Sequence, residues 1–208
     1  MPYVIRPRWL PPTAVAACTA LLAFGAGAAQ AAPAPLVQSV DTSNCVEPEL
    51  SQPFLSSNDH SNYMLAPGQS EGEFTGEGWT LSGGATITEA TLPDGSTGQV
   101  LDMPGGSKAV SPTICVTSAY PTARMLVRDV KGPDGVNFAV GYAGRHSWDK
   151  PINGGEVHGK KNSWTVSGLV NMSPEHVEGW QLVQITLVAN GKASDAQIDD
   201  LFIDPYSR

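Results

Sequence analysis

The residues best equipped for chemistry fall in three places along this 208-residue chain. Trp148 lies in the run Arg145-His146-Ser147-Trp148-Asp149-Lys150-Pro151, a polar loop that follows the segment bearing Arg124 and Arg128. An indole ring set among charged side chains is placed to meet a ligand, so Trp148, His146, Arg145, Arg124 and Arg128 form the candidate binding set. The alternative is a loop plug packed over an edge of the fold. Glu71, Glu73 and Glu77 sit between Gly-rich turns, where two acids on one sheet face would resemble a glycosidase pair. Solvated loop acids are the plainer reading of them. Asp199 and Asp200 are adjacent within an apolar strand pattern, which turns one of them toward the apolar side. A carboxylate so placed needs a cation or several hydrogen bonds, and calcium is the natural hard cation outside the cell.

Other catalytic signatures fail on their chemistry. Gly154-Gly155-Glu156-Val157-His158-Gly159-Lys160-Lys161 fits G-x-x-x-x-G-K, but Lys161 stands where a phosphate loop needs a metal-binding hydroxyl. There is no H-E-x-x-H pair. His60, His146, His158 and His176 are too far apart in sequence to suggest a local metal pair. Trp79, Trp164 and Trp180 each open a strand pattern and read as core.

These residues need a scaffold, and the punctuation of the chain indicates which. The 22 glycines and 17 prolines have no period and separate short apolar runs, so neither collagen nor a long helical bundle fits. Candidate strands are 62–66, 78–82, 85–90, 99–103, 111–117, 123–130, 137–143, 163–170, 180–189 and 196–204. The turns include Pro93-Asp94-Gly95, Gly132-Pro133-Asp134-Gly135, Asn153-Gly154-Gly155 and Asn190-Gly191. Ten strands at this spacing predict an all-β, two-sheet antiparallel sandwich. A short helix is expected at 173–178, with Ser173 as cap and Pro174 in the first turn. The turn at 131–136 is expected to make 123–130 and 137–143 a hairpin. Its outer face would join the arginines to a floor of Ala139, Gly141 and Ala143.

The first 31 residues read as a secretory signal, with Arg6 and Arg8, an uncharged apolar stretch, and small residues at Ala29 and Ala31 for cleavage. Residues 32–44 then form a flexible N-terminal segment and 45–208 a single domain. A membrane span is not expected, because the apolar stretch is short and exits at Ala-Pro-Ala-Pro. Val15-Ala16-Ala17-Cys18 also resembles a lipobox, against which stand the apolar residues after Cys18. With the signal gone, Cys45 and Cys115 remain, an even pair that predicts a disulfide in an oxidising compartment. Arg6 and Arg8 also leave, so the 12 basic residues become 10 against 20 acidic ones, a net of −10. Residues 32–107 contain no Lys or Arg, and a nucleic-acid partner is excluded for want of a basic patch.

Two resemblances add to this. Trp180-Gln181-Leu182-Val183-Gln184-Ile185-Thr186-Leu187, followed by Ala196-Gln197-Ile198-Asp199-Asp200-Leu201-Phe202-Ile203-Asp204-Pro205, resembles the closing strands of jelly-roll carbohydrate-binding modules of the galactose-binding kind. The resemblance implies a jelly-roll sandwich, a polysaccharide or cell-surface glycan as partner, and a structural Ca2+ held by Asp200 with Glu47 or Glu49. In such modules flat aromatics stack on the C–H faces of sugars, which would make Trp148 the sugar contact. Over most of the mature chain, runs such as Gln52-Pro53-Phe54, Gly78-Trp79-Thr80-Leu81-Ser82 and Ser111-Pro112-Thr113-Ile114-Cys115-Val116 are similar to a group of secreted actinobacterial proteins of unknown function. That similarity implies the Cys45 to Cys115 pairing and no activity. The expectation is a secreted, non-catalytic module for extracellular or cell-envelope glycan. The alternatives are a structural or adhesive envelope protein and a polysaccharide hydrolase or lyase.

Overall fold

A computed structural model describes residues 40–144 and 147–205 of the chain. The expected signal at 1–31 with Cys18, most of the segment 32–44, and both Arg145 and His146 lie outside the described residues. Fourteen strands, numbered in chain order, form two sheets. The larger sheet holds β1 (Met64–Leu65), β3 (Thr86–Thr91), β4 (Thr97–Pro104), β7 (Thr122–Lys131), β10 (Lys160–Lys161), β11 (Thr165–Val166), β12 (Val170–Asn171) and β14 (Asp195–Asp204). The smaller holds β2 (Thr80–Ser82), β5 (Lys108–Val110), β6 (Ile114–Val116), β8 (Val136–Tyr142), β9 (Ile152–Val157) and β13 (Gln181–Ala189). Pairing is antiparallel throughout except for the short β10, which runs parallel to β7. The fold is therefore the all-β, two-sheet sandwich that the spacing of turns predicts.

Both sheets are built around a pair of long strands. β7 pairs with β14 in the larger sheet and β8 with β13 in the smaller. Beside β14 lie β4 and then β1, and beside β13 lie β5 and then β6, so two short strands in succession do the work of one. In the second case Pro112, which has no N–H to offer a ladder, falls between the two short strands and splits the expected strand 111–117. Along β7 the residues alternate strictly. Ala123, Met125 and Val127 enter the core, where they meet Phe138, Val140, Ile185, Leu187, Ile198 and Leu201.

Several expectations are corrected here. Strands β7 and β8 do not form a hairpin, because the 131–136 connection carries the chain from one sheet to the other. The arginines of β7 and the Ala139-Gly141 floor of β8 therefore belong to different sheets. Over that floor the chain passes at contact distance, the Asp149 carbonyl oxygen lying 3.4 Å from where a Cβ of Gly141 would be. The segment 163–170 is not one strand but β11 and the run-up to β12, interrupted at Ser167-Gly168-Leu169. No helix forms at 173–178, and Ser173 takes a left-handed φ of 48°. Gly154 and Gly155, read as a turn, lie inside β9. A Cβ at Gly154 would meet the Asn171 carbonyl oxygen at 2.2 Å and Phe138 at 2.7 Å, so glycine is required there for close approach.

The disulfide forms as expected, joining Cys45 to Cys115 of β6. It closes a loop of 70 residues and ties the start of the domain to the smaller sheet. The chain-entropy model assigns such a loop about 4 kcal/mol of stabilisation. Urea unfolding of the Cys45→Ser/Cys115→Ser protein should show that loss as a lower midpoint with a cooperative transition. An unchanged midpoint would show that the bond adds nothing to this fold.

Candidate functional site

The outward side of the larger sheet carries the chain's notable side chains. Since Ala123, Met125 and Val127 point inward, Arg124, Leu126 and Arg128 point outward. Antiparallel pairing sets Arg128 opposite Gln197 and Arg124 opposite Phe202. A register shift between Asp199 and Phe202 changes the phase of β14, allowing both Ile198 and Leu201 to enter the core.

Around Arg124 this face is covered. Residues 51–63 cross it as a strap, closed by a bridge between Ser51 and Tyr63 and containing one turn of 3-10 helix (Leu55–Ser57). Phe54, Tyr63 and Phe202 meet edge to face with centroids 5.1 to 6.2 Å apart, over Leu65, Leu126 and Val166. Asp59 accepts hydrogen bonds from the Tyr63 hydroxyl at 2.7 Å, the Ser61 N–H at 3.0 Å and Arg124 Nη1 at 2.9 Å. Burial opposes the Asp59 charge, yet these bonds and the Arg124 charge hold its pKa below the ordinary value. The Arg124 guanidinium also lies 6.0 Å from the Phe54 ring centroid. Arg124 is thus engaged in holding the strap.

Around Arg128 the face is open. Its guanidinium stacks 4.8 Å from the centroid of Trp164. Nε and Nη2 both donate to Gln197 Oε1, and Nη1 donates to the Thr91 carbonyl oxygen at 3.3 Å. The Trp164 indole N–H donates to the same oxygen at 2.7 Å, while the Gln197 amide donates to Asp102 at 2.8 Å. Trp164 is delivered by a tight turn from Lys160 to Ser163, in which Asn162 takes a left-handed φ of 53° and donates its backbone N–H to the Asp129 carbonyl oxygen. Before this turn, Gly159 lies so close to β7 that a Cβ would come within 2.5 Å of the Asp129 nitrogen. Thr91, Leu92, Pro93, Arg128, Asn162, Ser163 and Trp164 line a pocket of about 290 Å³. It combines an aromatic wall with hydroxyl, amide and guanidinium groups.

The acids at the register shift have a different setting. Asp200 takes a left-handed φ of 46° and accepts the Gly72 N–H at 2.9 Å, while the Leu201 N–H is donated to Gln69 Oε1. Asp199 is fully buried, and neither carboxylate oxygen has a hydrogen-bond partner. Burial, with the neighbouring Asp200 charge, pushes Asp199 up to about 7, and burial with Glu71 nearby pushes Asp200 up to about 6.

The expected sets are therefore only partly assembled. Arg124 and Arg128 share a face but do different work. Trp148 is 40% exposed and is bridged to Ala143 after β8 of the smaller sheet, whereas both arginines lie on β7 of the larger. For the expected calcium ligands, the acid felt by Asp200 is Glu71, whereas Glu47 acts on Tyr120. Among the described residues no group of three or more His, Cys, Asp or Glu is placed to hold a metal. Trp79 is core as expected, its N–H bonded to the Pro67 carbonyl oxygen. Trp164 is not core. The sequence signal for it was the polar run Lys160-Lys161-Asn162-Ser163 immediately before the ring, which suits an exposed turn better than a buried strand.

No protein-family model matches the chain, and no curated protein matches it. Solved structures to which it is similar are carbohydrate-binding modules. The CBM22-1 xylan-binding domain from Paenibacillus barcinonensis is 13% identical, with a TM-score of 0.49, over 71% of this chain and 97% of that one. The CBM22-1 and GH10 modules of a Clostridium thermocellum xylanase are 12% identical, with a TM-score of 0.48, over 63% of this chain and 26% of that one. A family 6 carbohydrate-binding module is 14% identical, with a TM-score of 0.40, over 62% of this chain and 87% of that one. Among the described residues no helix is long and apolar enough to cross a membrane.

The buried acids generate a pH dependence of stability. In the folded protein burial pushes Asp199 up to about 7 from the ordinary value of 3.8. The folded form therefore binds its proton more tightly than the unfolded chain does, and this residue's contribution to stability falls as pH rises through that interval. Asp199→Asn should be more stable than wild type at pH 8 by at least about 1 kcal/mol, given 1.4 kcal/mol per pKa unit, with the gain shrinking toward pH 5. Denaturant unfolding at the two pH values measures it, and a variant no more stable at pH 8 contradicts the assignment.

Proposed function

We propose that the protein is a secreted, non-catalytic module that binds extracellular or cell-envelope glycan, with the Trp164 and Arg128 pocket as its contact surface. The observation that carries this reading is the half-exposed indole of Trp164, fixed by its N–H bond to Thr91 and by the Arg128 stack, beside the hydroxyls of Thr91 and Ser163. A sugar ring presents C–H surface and hydroxyls together, and an aromatic wall with adjacent polar groups answers both. Because the ring and the guanidinium are already held, little side-chain freedom remains to be lost on binding. Support for the non-catalytic reading comes from the acids with the strongest perturbation, Asp199 and Asp200. They are buried at the register shift and contribute nothing to the pocket lining.

Retention of the secreted protein on a panel of insoluble polysaccharides tests the proposal, with Trp164→Ala and Trp148→Ala compared at matched folding by circular dichroism. Removing a stacked aromatic anchor is expected to weaken binding by about tenfold or more, so Trp164→Ala should lose retention while Trp148→Ala keeps it. Retention that depends on Trp148 and not on Trp164 moves the site to the smaller sheet. A wild-type protein retained by no polysaccharide refutes glycan binding.

A further inference from the structure

The charges around the pocket narrow its ligand. Every Lys and Arg after the signal lies in residues 108–208; Arg128 lines the pocket, and Lys160 is its register partner on the neighbouring strand. Lys160 of β10 is in register with Arg128 of β7, which places both side chains on the same side of the sheet, and Lys160 is exposed. Among the described residues no carboxylate lies within salt-bridge distance of Arg128 or Lys160, whereas Arg124 is paired with Asp59. Three nearby acids are engaged elsewhere. Asp102 reaches Arg128 only through the Gln197 amide, Asp129 accepts the Gly159 N–H, and Asp94, next to Pro93, accepts from both the N–H and the hydroxyl of Ser96.

The hydrogen-bond inventory of Arg128 indicates what is still available. A guanidinium has five N–H donors. Three bonds are made within the protein, two to Gln197 and one to Thr91, so two N–H directions remain. A planar cation fixed by stacking and by these bonds matches the two oxygens of a carboxylate, the anion geometry that arginine recognises bidentately.

We infer that the pocket takes an acidic glycan, a uronic-acid polymer whose carboxylate is set against Arg128 and Lys160 while the sugar ring lies along Trp164. The inference rests on the glycan reading above and specifies its substrate class. In a chain with a formal net charge of −8, an anionic polymer meets repulsion elsewhere, so a local unpaired cation pair directs it to this face.

The test is affinity gel electrophoresis of the secreted full chain in polygalacturonate, alginate and hyaluronan, each beside its carboxyl-reduced form, which keeps a sugar backbone without the charge. At least one carboxylated polymer should retard the protein. Its reduced form should bind about tenfold more weakly, as the loss of a charge-assisted pair implies, and retardation should fall in about 0.5 M NaCl, where screening is strong. Lys160→Glu, an exchange at an exposed position, should weaken binding to the acidic form. Equal or tighter binding to reduced or other neutral polysaccharides overturns the inference and leaves the glycan reading standing. A preference for the acidic form that Lys160→Glu does not alter also overturns it, by placing the charge recognition elsewhere. Retardation by no polymer, charged or neutral, overturns both.

Discussion

The pairing of β7 with β14 is the constraint on which the rest of this structure depends. It sets which residues of the larger sheet enter the core and which look outward, and it fixes Arg128 opposite Gln197 and Arg124 opposite Phe202. A slip of one residue would bury the arginines and expose Met125 and Val127. The shift between Asp199 and Phe202 is part of the same device. Without the one extra residue there, Ile198 and Leu201 could not both face the core, and Phe202 would not emerge to receive Phe54 and Tyr63.

From this pairing the outer face acquires two unlike halves. Near Phe202 it is apolar and the strap closes it, with the Arg124 and Asp59 ion pair at the rim. Near Gln197 it is polar, and residues 159–164 shape a pocket instead of a seal. The two arginines, four residues apart on one strand, therefore serve opposite ends. The cost of the arrangement appears in Asp199, whose buried carboxylate has no hydrogen-bond partner. A charge in that position opposes folding at neutral pH, and the disulfide acts in the other direction by restricting the unfolded chain.

Legibility in the sequence followed the strength of local patterns. The long strands were readable because alternation such as Ala123, Met125 and Val127 against Arg124, Leu126 and Arg128 has a period of two, and β13 and β14 were likewise placed to within a residue or so. The cysteine pair was readable from compartment and number. The partner of each strand was not, since a turn such as 131–136 can return a strand beside its neighbour or send it across the sandwich. Gly154 and Gly155 were misread because a glycine needed for close backbone approach looks, in sequence, like a glycine needed for a turn. The site was half legible. Arg128 was identified, but its stacking partner is set by the register of 160–166 along β7, a tertiary property, so the ring chosen from sequence was Trp148 and the ring found beside it is Trp164. The acidity of residues 32–107 was likewise visible, but not that Arg128 and Lys160 would come into register on neighbouring strands.

The most direct measurement is a ¹H–¹⁵N NMR titration of the protein with a retained oligosaccharide, following the indole N–H signals of its tryptophans. The Trp164 signal should shift progressively with ligand together with the side-chain resonances of Arg128, while the Trp148 signal stays in place. Movement of Trp148 with Trp164 unmoved would contradict the account.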